Sequence, residues 1–189
     1  MKTLNQYIKE KLIINKDYHD NTIVVKTFDE LRKIIKDRYD KLGPGTKQKP
    51  IDFNDIDVSN LDSFCNEKNK GIFEKTKFKY IDISDWDVSN IKSMRVMFWG
   101  CLELKSVGDL SNWDVSKVTN MGSMFYDCTY FNQDISSWNV SHVTDMRYMF
   151  AWCESFNQDL SNWNVSKVRF IGGAFTGCSI KEEYKPKFK

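Results

Sequence analysis

The sequence contains no long apolar run, and this absence argues against a membrane protein. No stretch approaches the roughly 18–20 consecutive apolar residues that a membrane-spanning helix needs. The N-terminal segment MKTLNQYIKEKLIINKDY interrupts each apolar run with Lys, Glu, Asn or Asp. It therefore lacks the continuous apolar centre of a secretory signal. We expect a cytoplasmic protein with no membrane partner.

Net charge, histidine and paired cysteine are also scarce. The formal net charge of +2 argues against a protein dominated by contacts with nucleic-acid phosphates. The two histidines, His19 and His142, lie far apart and have no accompanying nucleophile–base pattern. Five cysteines are an odd number, which favours free thiols over a disulfide framework. These absences predict a protein that is not an enzyme and needs no cofactor.

Aromatic residues, in contrast, are abundant and follow a repeat. Four segments align on a tryptophan, with spacings of 27, 25 and 25 residues. With the Trp as position 0, position 8 is Met or Ile, position 12 is Phe and position 15 is Cys. The four sets are Trp86, Met94, Phe98, Cys101; Trp113, Met121, Phe125, Cys128; Trp138, Met146, Phe150, Cys153; and Trp163, Ile171, Phe175, Cys178. A degenerate earlier copy has Ile56 at position 0.

Each copy predicts one unit of a solenoid. The residues before Trp138 predict a short strand, and Val143, Met146, Phe150 and Cys153 have the i, i+3, i+7, i+10 spacing of a helical core face. Stacked units would share one apolar core. We therefore predict an α/β repeat fold over residues 51–189. It would be a leucine-rich-repeat-like, right-handed solenoid of about five rungs, each a short strand plus a short helix, with a short charged C-terminal tail.

Residues 1–50 do not repeat and predict a small α/β N-terminal cap. Apolar spacing indicates a short helix over residues 3–13 and a strand over residues 22–26. Thr27 and Glu30 form a capping-box pattern that begins a helix through about Asp40, and the Gly43-Pro44-Gly45 turn ends it. This segment would shield the open apolar end of the first rung. The alternative is an independent partner site.

Residues 131–150, FNQDISSWNVSHVTDMRYMF, resemble the repeat of the BspA-like leucine-rich-repeat family. The last copy, with Ala174-Phe175-Thr176-Gly177-Cys178, is similar to the related treponemal-type unit. The resemblance covers residues 51–180. It implies a binding scaffold of the kind found on bacterial surface proteins, mycoplasma lipoproteins, phages and mobile elements, with no shared catalytic site. Because the chain lacks the signal or lipobox of the surface members, we expect an intracellular role.

No metal site is predicted. Zinc ligands usually come in pairs two to four residues apart, whereas these cysteines occur once per copy, so buried apolar thiols explain them better. Calcium between Asp134 and Asp159 is an alternative to turn capping, but the glycine-rich nonapeptide of calcium-binding repeats is absent. The segment from Gly43 to Lys47 lacks the spacing of a phosphate-binding loop.

The positions that vary between copies predict the binding surface. On the predicted helices, positions 9, 10, 13 and 14 face away from the core and include large aromatic and Arg residues, which are enriched in interface hot spots. The candidate binding residues are Arg95, Trp99, Tyr126, Arg147, Tyr148 and Trp152. The alternative is that these aromatic side chains pack into crevices between copies.

The function expected from these observations is a non-catalytic protein–protein interaction scaffold. One concrete version is a phage- or mobile-element-encoded protein that binds or inhibits a host defence protein. A structural or self-assembling component, such as a virion or surface homo-oligomer, is a second possibility. A nucleic-acid-binding protein that uses the Lys-rich residues 68–79 and the N-terminal part is a third and less favoured one.

Overall fold

The structure, a computed structural model, describes residues 22–188. Its regular elements are β1 (Ile23–Val24), α1 (Phe28–Leu42), β2 (Ile51–Asp52), β3 (Ile56–Asp57), β4 (Ile81–Asp82) and a 3₁₀ helix (Glu182–Tyr184). Strand β1 pairs in parallel with β3, and β2 pairs in parallel with β4. The helix predicted over residues 3–13 lies outside the described residues.

Successive copies of the repeat lie side by side in register. Parallel bridges join position 7 of each copy to position 7 of the next. The bridged pairs are Ser63–Ser93, Ser93–Asn120, Asn120–Asp145 and Asp145–Phe170. Because corresponding residues are neighbours, each sequence column becomes a row of side chains that crosses the copies.

The phenylalanine column forms a continuous stack in the interior. The rings of Phe73, Phe98, Phe125, Phe150 and Phe175 lie with centroids 5.3, 5.5, 5.6 and 5.6 Å apart and nearly parallel. A second stack, Phe131 on Phe156, lies against the first. Offset stacking at this spacing adds to the free energy of burying each ring.

The tryptophan column is both buried and hydrogen-bonded between copies. Each indole Nε1–H donates to a backbone carbonyl in the preceding copy. The bonds run from Trp86 to Phe53, from Trp113 to Ile83, from Trp138 to Leu110 and from Trp163 to Ile135, at 2.8, 3.2, 3.0 and 3.3 Å. A polar group in each core position is thus satisfied by the neighbouring copy, which ties the register to the sequence repeat.

The short helix predicted in each repeat is not found there. Residues 95–100 and their equivalents are successive turns instead. Val96, Ser123 and Tyr148 at position 10 have φ of 52°, 54° and 56°, in the left-handed region that an α-helix excludes. Positions 8, 11, 12 and 15 are still buried in the copies of Trp86, Trp113 and Trp138. The spacing of apolar residues therefore identified the core side but not the backbone conformation.

The segment before the repeats packs on the first copy. The helix predicted from the capping box is confirmed as α1, with Thr27 Oγ1 accepting from the Glu30 N–H and Gly43 ending it at φ 74°. Leu31 and Ile35 of α1 are buried. Arg38 forms a two-bond ion pair with Asp55 at 2.5 and 2.7 Å. This segment covers apolar side chains of the first copy.

Residues 180–188 contact the last copy from the other end. Ile180 is buried and the Phe188 ring lies 6.5 Å from that of Phe175. The Leu160 N–H donates to the Tyr184 carbonyl at 2.8 Å. The tail therefore covers one part of the terminal face and leaves Phe170 and Ile171 exposed.

Replacing Trp138 with Phe tests the indole ladder. Trp138→Phe keeps a ring in the core but removes buried volume and the indole donor to the Leu110 carbonyl, which then accepts only from the Trp113 N–H. We expect the free energy of unfolding to fall by about 2–4 kcal/mol, measured by urea denaturation. Trp152→Phe, on a side chain that is 47% exposed, is the matched control and should change stability by less than about 0.5 kcal/mol. Equal effects of the two substitutions would contradict the ladder.

Candidate protein-binding surface

Aromatic side chains from three copies meet on one face. The Trp99 ring lies 6.0 Å from Tyr126, and the Tyr126 ring lies 6.5 Å from Tyr148 with edge-to-face geometry. Lys75 Nζ lies 4.4 Å from the Trp99 ring centroid, a cation–π distance. We call Trp99, Tyr126, Tyr148 and Trp152 the aromatic ridge.

Exposure increases along the ridge toward the last copy. Trp99 and Tyr126 are half-buried by their mutual contact, as the crevice alternative expects in part. Tyr148 and Trp152 are 50% and 47% exposed. Their rings lie over Gly173 and Gly177, where an added Cβ would come within 2.4 Å of either ring. Both glycines have positive φ, so they provide the backbone geometry and the space for these two rings.

The two candidate arginines lie beside a buried carboxylate. Asp145 is 5% exposed and accepts from the Arg147 side chain at 2.6 and 3.0 Å. Burial raises the pKa of Asp145, but the hydrogen bonds and charge of Arg147 outweigh this, so that its pKa lies below the ordinary value. Arg95 adds to this lowering and donates to Asn69 at 3.1 Å. Arg147 also lies 4.9 Å from the Phe170 ring.

Three of the four thiols in the cysteine column are buried. Cys101, Cys128 and Cys153 are buried, and each Sγ donates to the carbonyl of the stacked Phe in the preceding copy. Burial raises the pKa of Cys101 to about 12 and raises the pKa of the other two as well. Among residues 22–188, no group of three His, Cys, Asp or Glu side chains is placed to hold a metal ion.

Asp134 and Asp159 cap turns. The carboxylate of each accepts from the backbone N–H two residues later, that of Ser136 and that of Ser161, at 2.9 Å in both cases. The hydroxyl and backbone of these serines also lower the pKa of both carboxylates. The turn-capping interpretation accounts for both residues.

A cleft of about 610 Å³ separates α1 from residues 72–77. Its floor is apolar, with Ile35 and Ile72 buried. Its rim is basic, and the cations on it are Arg32, Lys33, Lys36, Lys75 and Lys77. Lys36 is paired with Asp40 at 2.5 Å. Lys75 lines the cleft and also contacts Trp99 of the ridge, so the two surfaces are continuous.

Several surface residues were not among the candidates predicted from sequence. Lys75 precedes the first tryptophan copy, and its contact with Trp99 depends on stacking. Phe170 is 50% exposed at position 7, where the earlier copies have Ser, Ser, Asn and Asp. Ile171 is 41% exposed at position 8, where Met94, Met121 and Met146 are buried. The sequence did contain a signal for Phe170, because it is an apolar residue at a position that is polar in the other copies.

These features define a protein of tandem repeats stacked in register, with a uniform interior and a varied surface. The chain belongs to the family described as Mycoplasma protein of unknown function, DUF285, whose profile matches residues 67–186. No curated protein and no solved structure matches the chain in the corresponding comparisons. Within residues 22–188, no helix combines the length and apolarity required to span a membrane.

Thiol labelling tests the burial of the cysteine column. We expect a maleimide to modify Cys65 and Cys178, which are partly accessible, well before the three buried thiols react. All five should react once the protein is unfolded in urea. Mass spectrometry of peptides after timed quenching measures the order. Early modification of Cys128 in the native protein would show that the column is open.

Replacing Asp145 with Asn tests the buried carboxylate. Asn120 occupies the same column and its Oδ1 accepts from the Gly122 N–H at 2.9 Å, so Asp145→Asn should keep the turn bond and lose the charged pair. At pH 7 we expect a loss of about 1 kcal/mol in the free energy of unfolding, small because Arg147 is half exposed.

The effect of Asp145→Asn should depend on pH in one direction. A lowered pKa in the folded state means that the stabilisation is present above the unfolded-state pKa of about 3.9 and is lost as pH falls through the folded-state value. The difference between wild type and variant should therefore be constant from pH 7 to about pH 5 and should shrink below about pH 4. A difference that grows on acidification contradicts the assignment.

Proposed function

We propose that this chain is a non-catalytic scaffold that binds another protein through the aromatic ridge. The observation that carries the proposal is the unbroken contact of Lys75, Trp99, Tyr126 and Tyr148 across the copies. Core columns keep one residue type, whereas this face combines Trp, Tyr, Arg and Lys. Aromatic and Arg side chains supply most of the binding free energy in protein interfaces.

The fold we propose for this scaffold is a leucine-rich-repeat-like solenoid of about five rungs, of the BspA-like type. In-register bridges, the stacked phenylalanines and the indole bonds between copies support it. In this proposal α1 and β1 form the N-terminal cap, because they cover apolar side chains of the first copy. Successive turns replace the short helix of each rung.

The setting we propose is the bacterial cytoplasm, with a host protein as partner. The version in which a phage or mobile element encodes the chain to bind a host defence protein rests on the resemblance of residues 51–180 to repeats found on such elements.

Nucleic-acid binding is the second candidate, because the basic cleft adjoins an aromatic side chain. Cations beside a stacking ring are typical of single-strand binding surfaces. Lys33 and Lys77 have no carboxylate partner among residues 22–188. A nucleic-acid complex of this kind would weaken steeply between 50 and 200 mM salt.

Capture of the partner tests the ridge. The full chain, immobilised, would be exposed to host extract, and retained proteins identified by mass spectrometry. Trp152→Ala should leave stability nearly unchanged and reduce retention of the specific partner by at least about tenfold, the effect of losing one hot spot. Trp99→Ala should have a similar effect on retention, with a modest loss of stability because the ring is half-buried.

Tyr130→Ala is the matched control for this experiment. Tyr130 is 51% exposed and is not part of the ridge, although Lys105 lies over its ring in a comparable cation–π contact. Its loss should leave retention within about twofold of wild type. Equal retention by all three variants contradicts the ridge, and retention that requires nucleic acid in the extract supports the second candidate.

A further inference from the structure

Hydrogen bonds between copies run in one direction over the segment of successive turns. The N–H groups of Val96, Phe98 and Gly100 donate to carbonyls of the following copy, at 3.0, 2.9 and 2.8 Å. The same pattern recurs at each later boundary, where even positions of one copy donate to odd positions of the next. The donor pairs are Ser123–Arg147, Phe125–Met149 and Asp127–Ala151, then Tyr148–Gly172, Phe150–Ala174 and Trp152–Thr176.

The last copy consequently ends in a row of donors. The N–H groups of Ile171, Gly173, Phe175 and Gly177 correspond to the donors of the earlier copies and have no acceptor among residues 22–188. We call these four groups the donor edge. Nearby carbonyls are already used, since those of Phe170, Gly172 and Ala174 accept from the fourth-copy donors. A group that binds these four N–H groups must be an acceptor.

Two backbone groups beside the donor edge could pair with an added parallel strand. At the preceding boundary, Asp145 and Phe170 form a parallel bridge in which Met146 N–H donates to Phe170 and the Thr144 carbonyl accepts from Phe170. The equivalent groups on the last copy are the Arg169 carbonyl and the Ile171 N–H, and neither has a partner among the described residues. An added strand can reproduce this bridge and then supply further acceptors.

Side chains around the edge are apolar and cationic. Tyr148, Trp152, Phe170 and Ile171 are all between 41% and 50% exposed, and together they border the edge. Arg147 and Arg169 lie next to Phe170, one over its ring and the other preceding it in sequence. The Asp145 carboxylate accepts from the Arg147 backbone N–H, but the Phe170 side chain cannot accept from the equivalent Gly172 N–H. That N–H also has no acceptor among residues 22–188. The surface is therefore electropositive and rich in donors.

We infer that the donor edge binds an acidic, extended segment of a partner protein as an added strand. The segment would pair with Arg169 and Ile171, place carbonyl or carboxylate oxygens on the remaining N–H groups, and cover Phe170 and Ile171 with apolar side chains. Strand addition derives affinity from backbone bonds and specificity from alternate side chains. This inference rests on the proposed function and places its centre at the last copy, where the ridge is most exposed.

Hydrogen–deuterium exchange of the full chain, measured by NMR, tests the edge directly. In the free protein the four edge amides should exchange faster than those of Met146, Tyr148, Phe150 and Trp152. The probe is the peptide Glu-Val-Glu-Val-Glu-Val-Glu-Val. At ten times its Kd, it should slow exchange at the edge amides about tenfold. The same peptide with Lys in place of Glu should bind at least about tenfold more weakly, because it loses the charge complementarity.

Two variants at one position separate charge from shape. Gly172 has open space where a Cβ would be added and no positive φ, so Gly172→Glu and Gly172→Gln should both fold. Gly172→Glu should weaken peptide binding at least about tenfold through like-charge repulsion. Gly172→Gln should change it less than about threefold. Leu102→Glu, on an exposed side chain in the second copy, should have no effect.

The remaining outcomes each overturn the inference. Unchanged edge amides with the peptide present show that nothing adds there, and equal binding by Gly172→Glu and Gly172→Gln shows that charge is not involved. The protein concentration can also be raised without peptide. If the edge amides then become protected and the measured molecular mass increases, the occupant is a second copy of this chain. Protection by single-stranded DNA instead of the peptide identifies a nucleic acid. If the peptide does not bind the donor edge but Trp99→Ala still loses partner capture, the donor-edge inference is wrong and the proposed role of the aromatic ridge stands.

Discussion

The structure depends on the backbone hydrogen bonds that join corresponding positions of successive copies. Regular strands and helices are too short to hold the repeats together, so the inter-copy ladder performs this role. The left-handed residues at positions 10 and 14 turn alternate N–H groups toward the next copy, while the other N–H groups close turns within their own copy. In the second, third and fourth copies, each N–H group of this segment thereby has a defined partner, as a buried backbone requires.

The same register explains the interior. Once corresponding positions are neighbours, a residue type repeated every 25 to 27 positions meets itself, and rings, indoles and thiols form columns. Phe stacks on Phe, and each Trp and Cys donates to a carbonyl of the copy before it. No buried side-chain nitrogen or oxygen in the described part of the chain lacks a partner. The outer positions, in contrast, vary from copy to copy.

Because the hydrogen bonds between copies in the segment of successive turns run in one direction, the two ends of the stack of copies differ chemically. The first end is covered by α1, whose Arg32 side chain donates to the Gly71 carbonyl. In the described part of the chain, the last end has N–H donors without acceptors, and residues 180–188 cover part of it. A head-to-tail stack of whole chains would have to displace α1. The polarity of the hydrogen bonds thus favours a partner with free acceptors at the last copy.

The sequence by itself determined the repeat, its period, the buried columns and the capping box that begins α1, because these are local patterns or identities that recur at fixed spacing. Only the tertiary structure decided the conformation of residues 95–100 and their equivalents. Apolar spacing of three and four residues is shared by a helix and by successive turns, and the choice between them depends on acceptors in the next copy. The tertiary structure decided three further features for the same reason. They are the contact of Lys75 with Trp99, the space that Gly173 provides for Tyr148, and the last-copy donors that have no acceptor among the described residues. Each is a relation between copies, and the sequence of a single copy contains no information about its neighbour's unpaired groups.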